Sequence, residues 1–147
     1  VYLNRTYNVK TFGMNIGGCY NFNDAKIWMF NALHSSSIIE KDKIIYAGNP
    51  VSYVIEIENK RIFHAGDTGI FKEMELIPKI VGALDIAMLP IGGTFTMDIN
   101  QVKIAIEMLK PKIFIPMHYN TFDLIKVEEE KIKGIAKILK PGEEIEI

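Results

Sequence analysis

Ile62-Phe63-His64-Ala65-Gly66-Asp67-Thr68 is an apolar alternation that stops at a glycine and presents an acid. A strand's period of two puts Ile62 and His64 on one face and Phe63, Ala65 and, if the alternation continues, Asp67 on the other. In α/β folds, ligands and metals gather beyond the carboxyl ends of strands, where short loops hold polar groups on a rigid sheet. Asp67 at such an end is a candidate metal ligand. His64 has the opposite parity and reads as a supporting or packing residue. Two other segments repeat the pattern: the apolar run from Ile27 to Leu33 ends in His34, and that from Ile113 to Met117 ends in His118. Neutral imidazole suits zinc, iron or manganese, and a carboxylate has two oxygens with which to bridge two ions.

The composition sets bounds on this chemistry. At 147 residues, with 48% hydrophobic and 24% charged side chains, the chain has the length of one domain and the means to build a core. A formal charge of -1 gives no overall basic surface, which disfavours nucleic acid and membrane surfaces as partners. No apolar run approaches the ~20 residues of a membrane span, and the start lacks the basic and apolar regions of a signal peptide, so a cytoplasmic protein is expected. Cys19 is the lone cysteine, which excludes an intrachain disulfide and a thiolate metal cluster. Any metal must then use histidines and carboxylates. The chain opens at Val1 with an apolar and polar mixture resembling the inside of a domain, as a fragment would.

The elements around the three strand ends follow from local pattern. Val1 to Tyr7 reads as the end of a helix or a strand, Val9 to Phe12 as a short strand, and Met14 to Gly18 as a turn punctuated by paired glycines. Lys26 to Leu33 is apolar on both faces, as in a buried strand. Ser35 to Pro50 reads as a loop in which Ile44, Ile45 and Tyr46 pack locally. Val51 to Glu58 alternates, a hairpin follows at Asn59-Lys60, and Arg61 to Ala65 returns antiparallel. Phe71 to Val81 predicts a short helix interrupted or ended near Pro78, Leu84 to Leu89 a buried strand, and Pro90 to Thr94 a tight loop. Asp98 with Gln101 three residues on predicts a capping box opening a helix that runs to Lys110 and ends before Pro111, with Ile99, Val102, Ile106 and Leu109 as its buried stripe. Lys112 to Met117 predicts a buried strand, Val127 to Leu139 an exposed amphipathic helix, and Glu143 to Ile147 a last strand.

Five stretches carry a family resemblance. They are Met14-Asn15-Ile16-Gly17-Gly18, Ala32-Leu33-His34-Ser35-Ser36, His64-Ala65-Gly66-Asp67-Thr68, the run from Pro90 to Asp98, and the run from Pro116 to Phe122. In this order they resemble the metallo-β-lactamase superfamily, and within it the uncharacterised metal-dependent hydrolases related to L-ascorbate-6-phosphate lactonase. The resemblance implies an α/β fold, the four-layer αββα sandwich, of which residues 1–147 would be the carboxyl-terminal portion without the first strands. It implies two divalent ions, zinc first, with manganese or iron as alternatives. His34 and His118 would each hold one ion and Asp67 would bridge them.

The family's remaining ligands come from an HxHxDH motif that this chain lacks, so residues 1–147 alone are expected to be impaired. Missing strands would leave apolar surface, to be covered by an amino-terminal segment or by a second copy in a homo-oligomer. By the same resemblance the reacting group is a hydroxide bridging the metals, and no side chain is assigned as catalytic. His64, Thr68, Thr94, Asp98 and Asn120 lie in the motif loops, where they would orient ligands or bind substrate; Asp98 reads equally well as a helix cap. The implied activity is hydrolysis of a small ester, lactone or phosphoester. A phosphodiesterase acting on RNA or cyclic nucleotides and a metal-free binding or structural module are the alternatives.

Overall fold

The computed structural model describes residues 2–147. Helix α1 (Tyr2–Tyr7) is followed by strands β1 (Cys19–Phe22), β2 (Ala25–Asn31), β3 (Ser37–Glu40), β4 (Lys43–Tyr46), β5 (Val51–Ile57) and β6 (Lys60–His64). Then come helix α2 (Ile77–Val81), strand β7 (Ile86–Pro90), helix α3 (Ile99–Leu109) and strand β8 (Ile113–Met117). Six strands form one sheet in the order β1-β2-β5-β6-β7-β8, and β3 pairs with β4 alone. β5 is antiparallel to both β2 and β6, so those two run the same way, and β7 and β8 continue parallel to β6. The carboxyl ends of β2, β6, β7 and β8 therefore share one edge of the sheet.

A cross-strand row holds this sheet to its helices. Trp28, Val54, Phe63, Ala87 and Phe114 stand opposite one another in register across five strands. Val54, Phe63 and Ala87 are fully buried and Phe114 is nearly so. α3 covers this face with Val102, Ala105 and Leu109, while Met74, Ile77 and Val81 cover it from the 3-10 turn Lys72–Leu76 and from α2. Burial of each large apolar side chain there is worth about 1.5–3 kcal/mol. The opposite face carries a second row, Ile27, Ile55, Ile62, Ile86 and Ile113. Ile55 is 37% exposed and Ile57 is 44% exposed, so this apolar face is only partly covered.

Capping explains where α3 begins and ends. Asp98 accepts from the Gln101 main-chain N–H at 2.8 Å, and Gln101 accepts from the Asp98 N–H at 3.1 Å, which is the expected capping box. Lys110 then turns left-handed with φ 49°, and Pro111 prevents continuation.

Several local expectations are corrected. Val9 to Phe12 is irregular and exposed and pairs with no strand among the described residues. β2 is half-buried, with Met29 its one buried residue, and it stops at Asn31, two residues before Leu33. The loop expected from Ser35 to Pro50 contains the β3–β4 hairpin, whose turn residues Lys41 and Asp42 both have positive φ. The β5–β6 turn falls on Glu58 and Asn59, one residue earlier than read, because both residues adopt the left-handed conformations of a tight hairpin. The stretch expected as a short helix interrupted or ended near Pro78 is a 3-10 turn, Lys72–Leu76, that gives way to α2, with Pro78 in the first turn of α2, where its missing N–H costs nothing.

Val127 to Leu139 is not a helix. A 3-10 turn at Glu129–Lys131 is followed by Gly134 at φ 89°, and Lys137 N–H donates to the Phe114 carbonyl at 2.8 Å, drawing the segment alongside β8. Glu143 to Ile147 forms no strand.

At the edge opposite the carboxyl ends, Asp85 fastens three strands together. It is 7% exposed, accepts from the Arg61 N–H and from the Lys112 ammonium at 2.8 Å each, and its own N–H donates to the Arg61 carbonyl. The Lys112 hydrogen bond first, and the Arg61 hydrogen bond second, hold its carboxyl below the ordinary carboxylate range, against the opposing effect of burial. Lys112 is largely in solvent, so water screens its share. Asp85→Asn is expected to cost about 1–3 kcal/mol at neutral pH. The folded-state pKa lies below the unfolded one, so this contribution is complete above the unfolded value of about 3.9 and is lost as pH falls through the folded value. Urea unfolding of both proteins should show a gap at pH 7 that closes in strong acid.

Candidate metal centre

Each ligand candidate sits just past a strand on the shared carboxyl edge. His34 lies three residues beyond β2, Asp67 three beyond β6, and His118 directly after β8. Hydrogen bonds clip the loops together. Leu33 N–H donates to the Thr68 hydroxyl at 2.9 Å, that hydroxyl donates to the Gly69 carbonyl at 2.7 Å, and Gly69 N–H returns to the Leu33 carbonyl at 2.9 Å. Thr68 is fully buried, so the neighbours of His34 and Asp67 are locked to each other. The Met97 N–H donates to the Thr68 carbonyl at 3.1 Å, and the Ile91 N–H to the Met117 carbonyl at 3.1 Å, which adds the loops after β7 and β8.

Glycines make the close approaches. Gly66 has φ 64°, and a Cβ there would stand 2.8 Å from the Val51 carbonyl oxygen. A Cβ on Gly92 would lie 2.5 Å from the His118 carbonyl oxygen. Gly92 went unassigned in the sequence, although the pair Gly92-Gly93 marked the loop. Only contact across the fold identifies which glycine the approach needs.

The main chain distinguishes the three histidines. His34 Nδ1 lies 2.9 Å from the Ser35 carbonyl, which can only accept, so Nδ1 carries a proton and, in the neutral ring, Nε2 carries the lone pair. His64 is the reverse. Its Nδ1 accepts from the Gly66 N–H at 3.1 Å, so the neutral ring carries its proton on Nε2 and braces the turn that presents Asp67.

His118 is brought together with Asp67: Nε2 stands 3.6 Å from Oδ2, and Nδ1 is buried with no partner among the described residues. A separation of 3.6 Å is long for a hydrogen bond and close to the ~3.4 Å between two ligands on one tetrahedral ion with ~2.1 Å bonds. The donor set therefore suits a metal, with Asp67 and His118 together and His34 on the clipped neighbouring loop. Among the described residues, no three His, Cys, Asp or Glu side chains come close enough to enclose an ion by themselves.

The remaining candidates are placed as follows. The Thr94 hydroxyl donates to the Leu124 carbonyl at 2.6 Å. Asp98 caps α3, and Asn120 accepts from the Val127 N–H at 2.7 Å. Both line a cavity of about 840 Å³ that includes Lys103 and Lys131 but none of the three ligand candidates. Thr96 is 6% exposed, and its hydroxyl has no partner among the described residues. Beside the centre, burial and then the charge of Glu129 push the Tyr119 phenol above its ordinary range.

A mixed sheet with α2 and α3 on one face, and with His and Asp donors on the loops of one carboxyl edge, defines the class as an α/β protein with its candidate ligands gathered at that edge. The particular family follows from comparison. The beta-lactamase superfamily domain model matches residues 1–119, and the chain belongs to that superfamily.

A UPF0173 metal-dependent hydrolase of Nanoarchaeum equitans is 44% identical, over 97% of this chain and 68% of that protein. One from Staphylococcus aureus is 42% identical, over 99% and 66%. A solved metallo hydrolase from Ignicoccus hospitalis superposes with TM-score 0.78 at 36% identity, over 97% of this chain and 63% of the other. The fold is thus the metallo-β-lactamase type expected from the five motifs. The chain spans about two thirds of the length of the curated relatives it matches.

Thr68→Val tests the clip between the ligand loops. It keeps side-chain shape but leaves the Leu33 N–H without an acceptor, and should lower unfolding free energy by about 1–3 kcal/mol in thermal or urea melts. A variant as stable as wild type would remove this clip from the account.

Proposed function

We propose that the protein is a metal-dependent hydrolase of a small ester, lactone or phosphoester. The reading rests on one observation above others: His118 Nε2 and Asp67 Oδ2 stand 3.6 Å apart, close to the separation of two donors on one ion.

In this reading His34, Asp67 and His118 hold divalent metal, two ions in the complete centre and zinc first among them. Such ions supply Lewis acidity and a nucleophilic water at neutral pH. The chain's own residues do the rest. Asp67 offers two carboxylate oxygens, Thr68 and His64 fix the turn that presents it, and the Ser35 carbonyl fixes the His34 tautomer so that Nε2 faces outward. The further ligands are assigned to an HxHxDH motif outside the three histidines of this chain. The half-exposed isoleucine face of the sheet is assigned to the strands carrying that motif or to a second copy, and the setting to the cytoplasm.

A metal-free binding module is the second reading, favoured by the absence of any three-donor cluster among the described residues. Calorimetric titration with zinc and manganese separates the two. The hydrolase reading expects binding that weakens tenfold or more, about 1.4 kcal/mol, in Asp67→Ala and in His118→Ala. Turnover of a lactone, phosphoester and cyclic-nucleotide panel by the metal-loaded full-length protein then identifies the substrate class. Absence of both binding and turnover would leave the module.

A further inference from the structure

His118 leaves β8 in the left-handed region, φ 55°, and two residues later Asn120 does the same, φ 58°. Tyr119 between them packs against the core. The backbone of His118 is thereby confined from two sides, by that packing and by Gly92, whose lack of a Cβ allows the His118 carbonyl to approach. Asn120 supplies a third restraint. Its N–H donates to the Ile125 carbonyl at 2.9 Å, and its side-chain Oδ1 accepts from the Val127 N–H at 2.7 Å. These two bonds close residues 120–127 on themselves. They belong to no strand ladder or helix. Asparagine suits the position because it tolerates left-handed backbone and its short amide reaches nearby main chain.

We infer that Asn120 is a positioning residue: its paired bonds to Ile125 and Val127 fix the left-handed turn that aims the His118 imidazole at Asp67. The inference rests on the reading of His118 and Asp67 as ligands, and it says which residue sets their separation. Asn120 touches neither ligand side chain. Its effect passes through two peptide units.

Three variants test this. Asn120→Gly keeps a left-handed residue but lacks Oδ1, Asn120→Asp keeps an acceptor, and Val127→Pro removes the donor from the other side. Lys126 already has the extended backbone, φ −70° and ψ 130°, that a following proline needs. Zinc affinity is read by calorimetry, and the His118 ring by NMR of the metal-free protein, with a melt as a control for folding. Loss of the Asn120–Val127 bond should weaken zinc binding on the order of 10–100-fold and broaden or double the His118 ring signals, and Asn120→Asp should restore both. Zinc affinity at the wild-type level with a single sharp His118 ring in the folded Gly or Pro variant would overturn the inference. If wild type binds no zinc, the ligand reading fails separately, and the metal-free ring signals still decide whether Asn120 positions His118.

Discussion

The parallel pairing of β6, β7 and β8 is the constraint from which the rest of the molecule follows. Parallel neighbours cannot be joined by a tight turn, so each connection must cross back over one face of the sheet. The connection from β6 to β7 does so with the 3-10 turn and α2, and that from β7 to β8 with α3. Both crossovers are held by the buried row Val54, Phe63, Ala87 and Phe114 under Met74, Ile77, Val102 and Leu109. Every crossover must start at the carboxyl edge, so its first residues are committed there before any chemistry is chosen. Asp67 and the Gly92–Asp98 loop are those residues, and His118 joins them because β8 runs parallel to β7 and ends at the same edge. β2 adds His34 because an even number of antiparallel steps separates it from β6.

Existence and parity were legible for β5 to β8 because one face of each is packed, as in β6, where Phe63 and Ala65 are buried and Ile62 and His64 face the other way. The α3 cap was legible because Asp98 and Gln101 act within one turn of chain. Where a segment's structure depends on distant backbone, the sequence was a poor guide. Val127 to Leu139 carries helical spacing, yet the Phe114 carbonyl at the free edge of β8 takes the Lys137 N–H and Gly134 breaks the turn. The β3–β4 hairpin was hidden for another reason. Its Ile39 and Ile44 lie opposite each other and are 77% and 79% exposed, so no burial pattern marks the two strands.

The candidate centre was legible to the same degree. Residue types and strand-end positions named His34, Asp67 and His118, but the division of labour among the histidines lies in main-chain hydrogen bonds. A carbonyl beside His34 Nδ1 and an N–H beside His64 Nδ1 give two rings of identical chemistry opposite tautomers. One ring keeps a lone pair outward and the other keeps a proton there. Composition and spacing contain no trace of that difference, since it depends on whether the turn after each histidine points a donor or an acceptor at the ring.

Backbone conformation adds an independent line of argument about where this fold tolerates strain. The non-glycine residues with positive φ among those described are nine. Asn23, Lys41, Asp42, Glu58 and Asn59 serve tight hairpin turns, and Asn8 and Lys110 follow helices. His118 and Asn120 have neither excuse. Left-handed backbone in a residue other than glycine costs on the order of 1–3 kcal/mol and persists only where surrounding contacts over-determine it. Here those contacts are Gly92 against the His118 carbonyl, the Tyr119 packing and the bonds of Asn120. A relaxed chain leaving β8 would continue extended and carry the imidazole away from Asp67. The fold instead holds the turn at a cost in stability, and what it obtains is His118 Nε2 facing the Asp67 carboxylate at 3.6 Å.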